Sequence, residues 1–197
     1  MGENVILQEK NYIAQQKKKY LIYSIIWTAV VLVTFGVGLL ITKTRANLFT
    51  VSACLTAIVA ALYITRLISF SRYNDGDFER ANMLESISGN YHIYHSAIVP
   101  LEKGTAPFEH IMVTESKIYF IAYTKQQITQ YREDIKVLLG QFGIASQHLC
   151  FLVAQDVSQM KQHTNRIKKE METISKHQGE GTDYLEAYSK KISEILM

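Results

Sequence analysis

Six histidines and two cysteines are scattered through the 197 residues, and their spacing limits the chemistry they can do. His92 and His95 lie three residues apart in a segment rich in aromatic and β-branched side chains. Strand side chains alternate with a period of two, so an odd separation puts the two rings on opposite faces and makes a weak metal pair. His110, His148, His163 and His177 stand alone, and a lone histidine is more often a surface or core residue than a ligand. Cys54 falls in an apolar run and Cys150 in a strand-like one. Neither a disulfide framework nor a thiolate metal site is indicated, which fits a reducing cytosol. No glycine-rich phosphate loop and no nucleophile-elbow serine occurs. Lys161, Arg166, Lys168 and Lys169, interleaved with Gln159, Gln162 and Asn165, form a polar helix surface, usually a solvated face and occasionally a partner or nucleic-acid contact. A net charge of +3 is too weak to imply nucleic-acid binding.

The elements that would position such groups come from two unlike halves. The mean hydropathy near zero averages an almost wholly apolar stretch, Tyr20 to Phe70, with a mixed remainder, Ser71 to Met197. Tyr20 to Thr42 is a run of 23 uncharged residues, enough for a helix to cross about 30 Å of hydrocarbon. A second run extends from about Ala46 to Thr65 and closes on Arg66, whose side chain can snorkel to the interface. The length of the first run, its lack of an A-x-A exit and the immediate second run count against a cleaved signal peptide. Lys43-Thr44-Arg45 is too short for anything but a tight turn, so the two helices form an antiparallel hairpin. Ala53, Ala57 and Ala61, every fourth residue, with Gly36 and Gly38 on the other helix, predict a small-residue face for close packing or self-association.

Lys10, Lys17, Lys18 and Lys19 on one flank and Arg66, Arg72 and Arg80 on the other outnumber Lys43 and Arg45 in the turn. The positive-inside rule then predicts a multi-pass protein of the inner (plasma) membrane with both termini in the cytosol. The lipid bilayer is its first partner, and Lys17 to Lys19 could also hold anionic headgroups. The expected organisation is a cytosolic N-terminal segment (1–19), a transmembrane hairpin (20–70) and a cytosolic α/β domain (71–197).

Within that domain, Asn74 to Asp77 reads as a turn and N-cap for a helix carrying Phe78, Ala81, Leu84 and Ile87 and ending at Gly89-Asn90. Strands follow at Tyr91 to Val99, Phe108 to Thr114 and Ile118 to Thr124, with Pro100 to Pro107 as a turn and Glu115 to Lys117 as a short hairpin. Helical spacing returns from Gln127 to Phe142, and His148 to Ala154 reads as a strand covered on both faces. Asp156 or Ser158 caps a polar helix reaching about His177, Gly179-Glu180-Gly181 breaks it, and Thr182 opens a last amphipathic helix.

The order α-β-β-β-α-β resembles the core of the PD-(D/E)XK nuclease superfamily. The stretch from Gly76 to Lys125 resembles more specifically the nuclease-related domain (NERD), which is frequently fused to membrane spans in bacteria. Gly76-Asp77-Phe78-Glu79-Arg80 matches its helix opening, Tyr91 to Pro100 its first strand, Phe108-Glu109-His110-Ile111 its Ile-Asp-His-Ile pattern, and Ala122-Tyr123-Thr124-Lys125 its Ile-Glu-Thr-Lys pattern. The resemblance implies a membrane α-helical hairpin joined to an αβββαβ restriction-endonuclease-like core with C-terminal helices. It also implies a site in which an acid on one strand, and a second acid two residues before a lysine on the next, hold Mg²⁺ to activate water.

Carried onto this chain, Glu109 and Glu79 are candidate metal ligands, and Glu79, Glu109 and Lys125 the candidate catalytic set. The departure is Tyr123 in the place of the second acid, a neutral phenol with a pKa of about 10 and a poor magnesium ligand. The expectation is therefore a nuclease-like fold without hydrolysis, a pseudoenzyme with no cofactor, working as a membrane-anchored binding or regulatory module. Its partner is a protein or a second copy met through the hairpin, with nucleic acid as a further candidate. One alternative is a Mg²⁺-dependent nuclease acting on DNA or RNA and using Glu115 or Glu102 as an extra acid; another is a structural subunit of a membrane complex. As residues alone, Glu109 reads equally as an outward-facing strand acid, Glu79 as a first-turn acid favoured by the helix dipole, Lys125 as a strand-end charge and Tyr123 as core.

Overall fold

The computed structural model describes residues 4–44, 47–175 and 182–196, so the expected Gly179-Glu180-Gly181 break lies outside the described residues. The chain divides into two compact units, one of residues 13–74 and one of residues 1–12 with 75–197.

The first unit is the helical hairpin. Helix α1 (Tyr12–Thr42) and helix α2 (Leu48–Ser71) are each long and apolar enough to cross a membrane. Both begin or end beyond the apolar runs, since polar flanks continue a helix at little cost once it is nucleated. Ser24 and Gly38 of α1 and Ala53, Ala60 and Phe70 of α2 are buried, and residues 27, 31 and 34 of α1 and 56, 57, 63 and 67 of α2 are among the half-buried positions, close to the three-four spacing of packed helices. The small residues of the expected face are covered in part: Gly38 and Ala53 are buried, Gly36 and Ala57 half-buried and Ala61 exposed, with Ala60 buried in its stead. Asn47 closes the turn: its Oδ1 accepts from the Thr50 amide at 2.9 Å, and its Nδ2 donates to Thr42 Oγ1 at 2.6 Å and the Thr44 carbonyl at 2.7 Å. At the other end Tyr20 packs on Phe70 (5.5 Å between ring centres) and under the Arg66 guanidinium (5.9 Å). Leu32, Leu40, Leu55, Ile58 and Leu62 point outward.

The second unit is a mixed sheet with helices on both faces. Strands β1 (Asn4–Gln8), β2 (Tyr91–Leu101), β3 (Gly104–Thr114), β4 (Ile118–Ala122) and β5 (Leu149–Val153) lie in that order. β2, β3 and β4 form an antiparallel meander, while β1 runs parallel to β2 and β5 parallel to β4. Helix α4 (Lys125–Gln141) makes the crossover from β4 to β5. With α6 (Thr182–Ile195) it covers one face, where Tyr94, Phe108, Ile111, Phe120, Ile135, Leu139, Leu185 and Ile192 are buried together. Helices α3 (Phe78–Glu85) and α5 (Val157–Ser175) cover the other, over Leu84, Tyr91, Ile93, Met112, Tyr119, Ile121, Met160 and Ile167. Residues 149, 151 and 153 of β5 join the first cluster and 150 and 152 the second, as expected for a strand covered on both faces.

Local chemistry explains the elements. The Asp77 carboxylate caps α3 through the amides of Glu79 (2.8 Å) and Arg80 (3.1 Å), and the helix ends at Glu85, a turn earlier than its apolar spacing predicts. A Thr124–Gln127 capping box starts α4. The Glu170 carboxylate ties α5 to the sheet, accepting from Lys117 (2.8 Å), Tyr119 (2.7 Å) and Arg166 (3.0 Å). Burial raises its pKa, but these donors bring it down to about 2.

Two expectations change. The N-terminal segment is not separate: β1 joins the sheet edge. The Pro100 to Pro107 turn shrinks to Glu102-Lys103, with Leu101 paired to Gly104 and both prolines inside strands. β1 pairs β2 only up to Tyr94, and β4 pairs β3 only from His110. The end of the β2–β3 ribbon thus has open outer edges, where a residue lacking an N–H donor is tolerated.

Gly89, between α3 and β2, has φ +147°, and a Cβ there would meet Met171 Cε at 2.6 Å. Gly89→Ala is expected to destabilise the protein by about 1–2 kcal/mol, read as a lower thermal midpoint in detergent. An unchanged midpoint would contradict this turn geometry.

Candidate functional site

The polar centre of the α/β unit arises where two strands break alternation at the same place. On β2, Tyr94 faces the α4–α6 cluster and the next residues to do so are Ala97 and Val99; on β3 they are Phe108, then Ile111 and Val113. Each strand slips by one residue, and the Ser96–Glu109 pair that the register puts opposite is missing from the ladder. Ser96 has a left-handed backbone, φ +53°, which a non-glycine residue adopts at a cost of about 1–3 kcal/mol. The consequence is that His95 and Ser96, and opposite them Glu109 and His110, all turn to the α3 side of the sheet.

Two networks meet there. In the first, Lys10 Nζ contacts Glu85 Oε2 at 2.6 Å, Glu85 Oε1 lies 3.1 Å from His95 Nε2, and His95 Nδ1 lies 2.8 Å from His110 Nδ1. The carboxylate requires the proton of His95 on Nε2, so the Nδ1 of that neutral ring accepts and His110 donates from its own Nδ1. His110 Nε2 is then a buried lone pair without a hydrogen-bond partner. In the second, Arg80, only 8% exposed, reaches Glu109 Oε1 at 2.6 Å and the Gln155 carbonyl at 3.5 Å, with its guanidinium 5.3 Å from the centre of the Tyr123 ring. One helix thus supplies a cation to β3 and an anion to β2.

Burial pushes the His95 pKa below its ordinary value, reinforced by Lys10 and opposed by Glu85. Burial holds His110 well below it, helped by His95, Arg80 and Lys10. Burial also raises the Glu109 carboxyl, against the pull of Arg80. Burial is therefore the main cause that keeps both imidazoles neutral, with Lys10 adding to it at both rings and Arg80 at His110. Among the described residues no group of three or more His, Cys, Asp or Glu side chains is placed to hold a metal.

No family model, curated protein or solved structure matches this chain. The geometry therefore stands by itself.

The structure gives the residues that the resemblance groups different surroundings. Glu109 is inward, joined to Arg80. Glu79, its neighbour in sequence, is solvent-exposed on the first turn of α3. Lys125 is not on a strand: β4 stops at Ala122, Thr124 caps α4, and the exposed lysine is the first helical residue. Tyr123, expected in the core, is 48% exposed beneath no apolar layer, its ring facing Arg80 instead. Glu102 and Glu115 flank opposite ends of the 11-residue β3, and Glu115 accepts from Asn90 at 3.2 Å. His92 and His95 do lie on opposite faces, His92 being influenced by Glu186 of α6. Lys10, Arg80, Glu85 and the His95–His110 contact were not read as a site from sequence; a two-residue turn at Glu102-Lys103 would have placed residue 95 opposite 110.

Both buried imidazoles have depressed pKa values, so on acidification the unfolded chain takes up protons before the folded one does. Stability is fully present above about pH 6.5 and falls below it. Thermal midpoints in detergent are expected to be flat above about pH 7 and to drop toward pH 5, with a shallower drop in His110→Gln. An equal slope in that variant would contradict a buried neutral pair. Removing one partner of a buried ion pair is costly, so Arg80→Met should lose about 3–5 kcal/mol, while Arg80→Met with Glu109→Leu recovers most of it. Additive losses in the double variant would count against direct pairing.

Proposed function

We propose that this chain is a membrane-anchored binding or regulatory module whose α/β unit is a PD-(D/E)XK-like, NERD-type fold that does not hydrolyse nucleic acid. The observation that carries the reading is the ion pair of Arg80 with Glu109: the one acid at the metal position is already neutralised by a cation of the protein itself, at 2.6 Å. A hard divalent ion needs several oxygen ligands, and here a guanidinium sits where they would gather. The order α3-β2-β3-β4-α4-β5, three antiparallel strands and a crossover to a parallel fourth, supports the restriction-endonuclease-like core. The basic flanks of the hairpin support a plasma-membrane, two-span topology with both termini in the cytosol.

Two measurements test this. Incubation of the purified full chain with single- and double-stranded DNA and RNA and Mg²⁺ or Mn²⁺ is expected to leave all substrates intact. Cleavage lost in Glu109→Ala would replace this reading with the metal-dependent nuclease. For topology, a cysteine introduced at Thr44 in a Cys54→Ala, Cys150→Ala background should react with an impermeant maleimide added outside intact cells, whereas one at Glu102 should not. The reverse pattern would invert the orientation.

A further inference from the structure

The chain enters α1 shortly after Lys10 and returns from α2 through Asp75 and Gly76. Within the α/β unit both passages touch one side chain in common. The Gly76 amide donates to Ser96 Oγ at 3.0 Å, and that hydroxyl donates in turn to the Lys10 carbonyl at 3.3 Å. The Ser96 carbonyl accepts from Gln8 Nε2 at 3.3 Å. A hydroxyl has one proton to give and lone pairs to receive, so the two passages use its complementary halves, and each bond polarises the other.

The rest of the neighbourhood ties these passages to the buried histidines. Lys10 Nζ reaches Glu85 (2.6 Å) and Asn82 (2.5 Å), Glu85 reaches His95, and the His110 ring carbon Cε1 lies 3.4 Å from where a Gly76 Cβ would stand. Ser96 itself is 2% exposed and left-handed, a backbone that glycine takes without strain. Its conformation is thus unfavourable for serine, whereas its hydroxyl is the group both passages use.

We propose that Ser96 is a latch coupling the two passages to each other, so that displacing one loosens the other and, through Glu85 and Gly76, the His95–His110 pair. The latch is a conformational device of the fold and is independent of any nuclease relationship. Its signature is reciprocity: a coupling free energy acts equally in both directions.

The test is amide hydrogen exchange by mass spectrometry on the full chain in detergent micelles, following peptides that cover residues 9–12 and 74–77. Lys10→Met removes the Nζ contacts with Glu85 and Asn82 that hold the first passage, keeps both Ser96 hydroxyl bonds, and is expected to raise exchange at Gly76 about tenfold, the loss of roughly one hydrogen bond transmitted through Ser96. Gly76→Pro, which removes the amide donor, should raise exchange at residues 11 and 12 by a similar factor. In a Ser96→Gly background, which suits the left-handed backbone and lacks the hydroxyl, both cross-effects should vanish. Overturning results are an unchanged distant peptide in either variant, or cross-effects that persist undiminished without the Ser96 hydroxyl.

Discussion

A strand that buries both faces must alternate, and every helix on the sheet is placed by that alternation. At Ser96 and Glu109 both partners of a hairpin break the rule together, and because they slip together the ladder resumes on either side in the same register. The cost is a strained serine and one missing pair. What it creates is a stretch of four consecutive-by-strand polar residues, His95 and Ser96 beside Glu109 and His110, facing a short helix that carries Arg80 and Glu85. An unbroken hairpin would send half of these into the apolar cluster around Phe108 and Phe120, where burying a polar group is costly unless it is hydrogen-bonded.

Once polar groups are turned inward they must be paired, and the way they are paired decides what the site can do. Arg80 compensates Glu109 and Lys10 compensates Glu85, while burial first, and the nearby cations after it, keep the imidazoles uncharged. Burial still raises the Glu109 pKa against Arg80, so the ion pair supplies position more than net stability. Beside Glu109 also lies the carboxylate of Asp77, whose Oδ1 is taken up by the first amides of α3 and whose negative charge helps to raise the Glu109 pKa. Helix α3 thus carries the guanidinium that pairs with Glu109.

Helices and apolar strands were legible because each announces itself locally: the α4 stripe of Ile128, Ile135 and Leu139, the unbroken apolar run of β5, and two long apolar helices. β1 was not, since Val5, Ile6 and Leu7 do not alternate and nothing local states that Asn4 pairs with Tyr91, 87 residues on. The candidate site was only partly legible for a related reason. Glu109 lies where the resemblance placed it on a strand, but its partner is Arg80, a residue counted for membrane topology, and Lys125 left the strand because Thr124 caps a helix. The histidine contact was hidden by two prolines that read as a long turn and by an alternation rule that fails at Ser96. Register and strain are properties of the assembled sheet, and single-strand periodicity does not contain them.

The central claim is that Arg80 occupies the place of a metal at Glu109. Isothermal titration of Mn²⁺ into the full chain in detergent, alongside Arg80→Ala and Glu109→Ala, tests it most directly. The account predicts no binding at millimolar metal in the unaltered protein. Saturable binding by the unaltered protein that disappears in Glu109→Ala would contradict it and would mean that Glu109 leaves Arg80 to coordinate a cation.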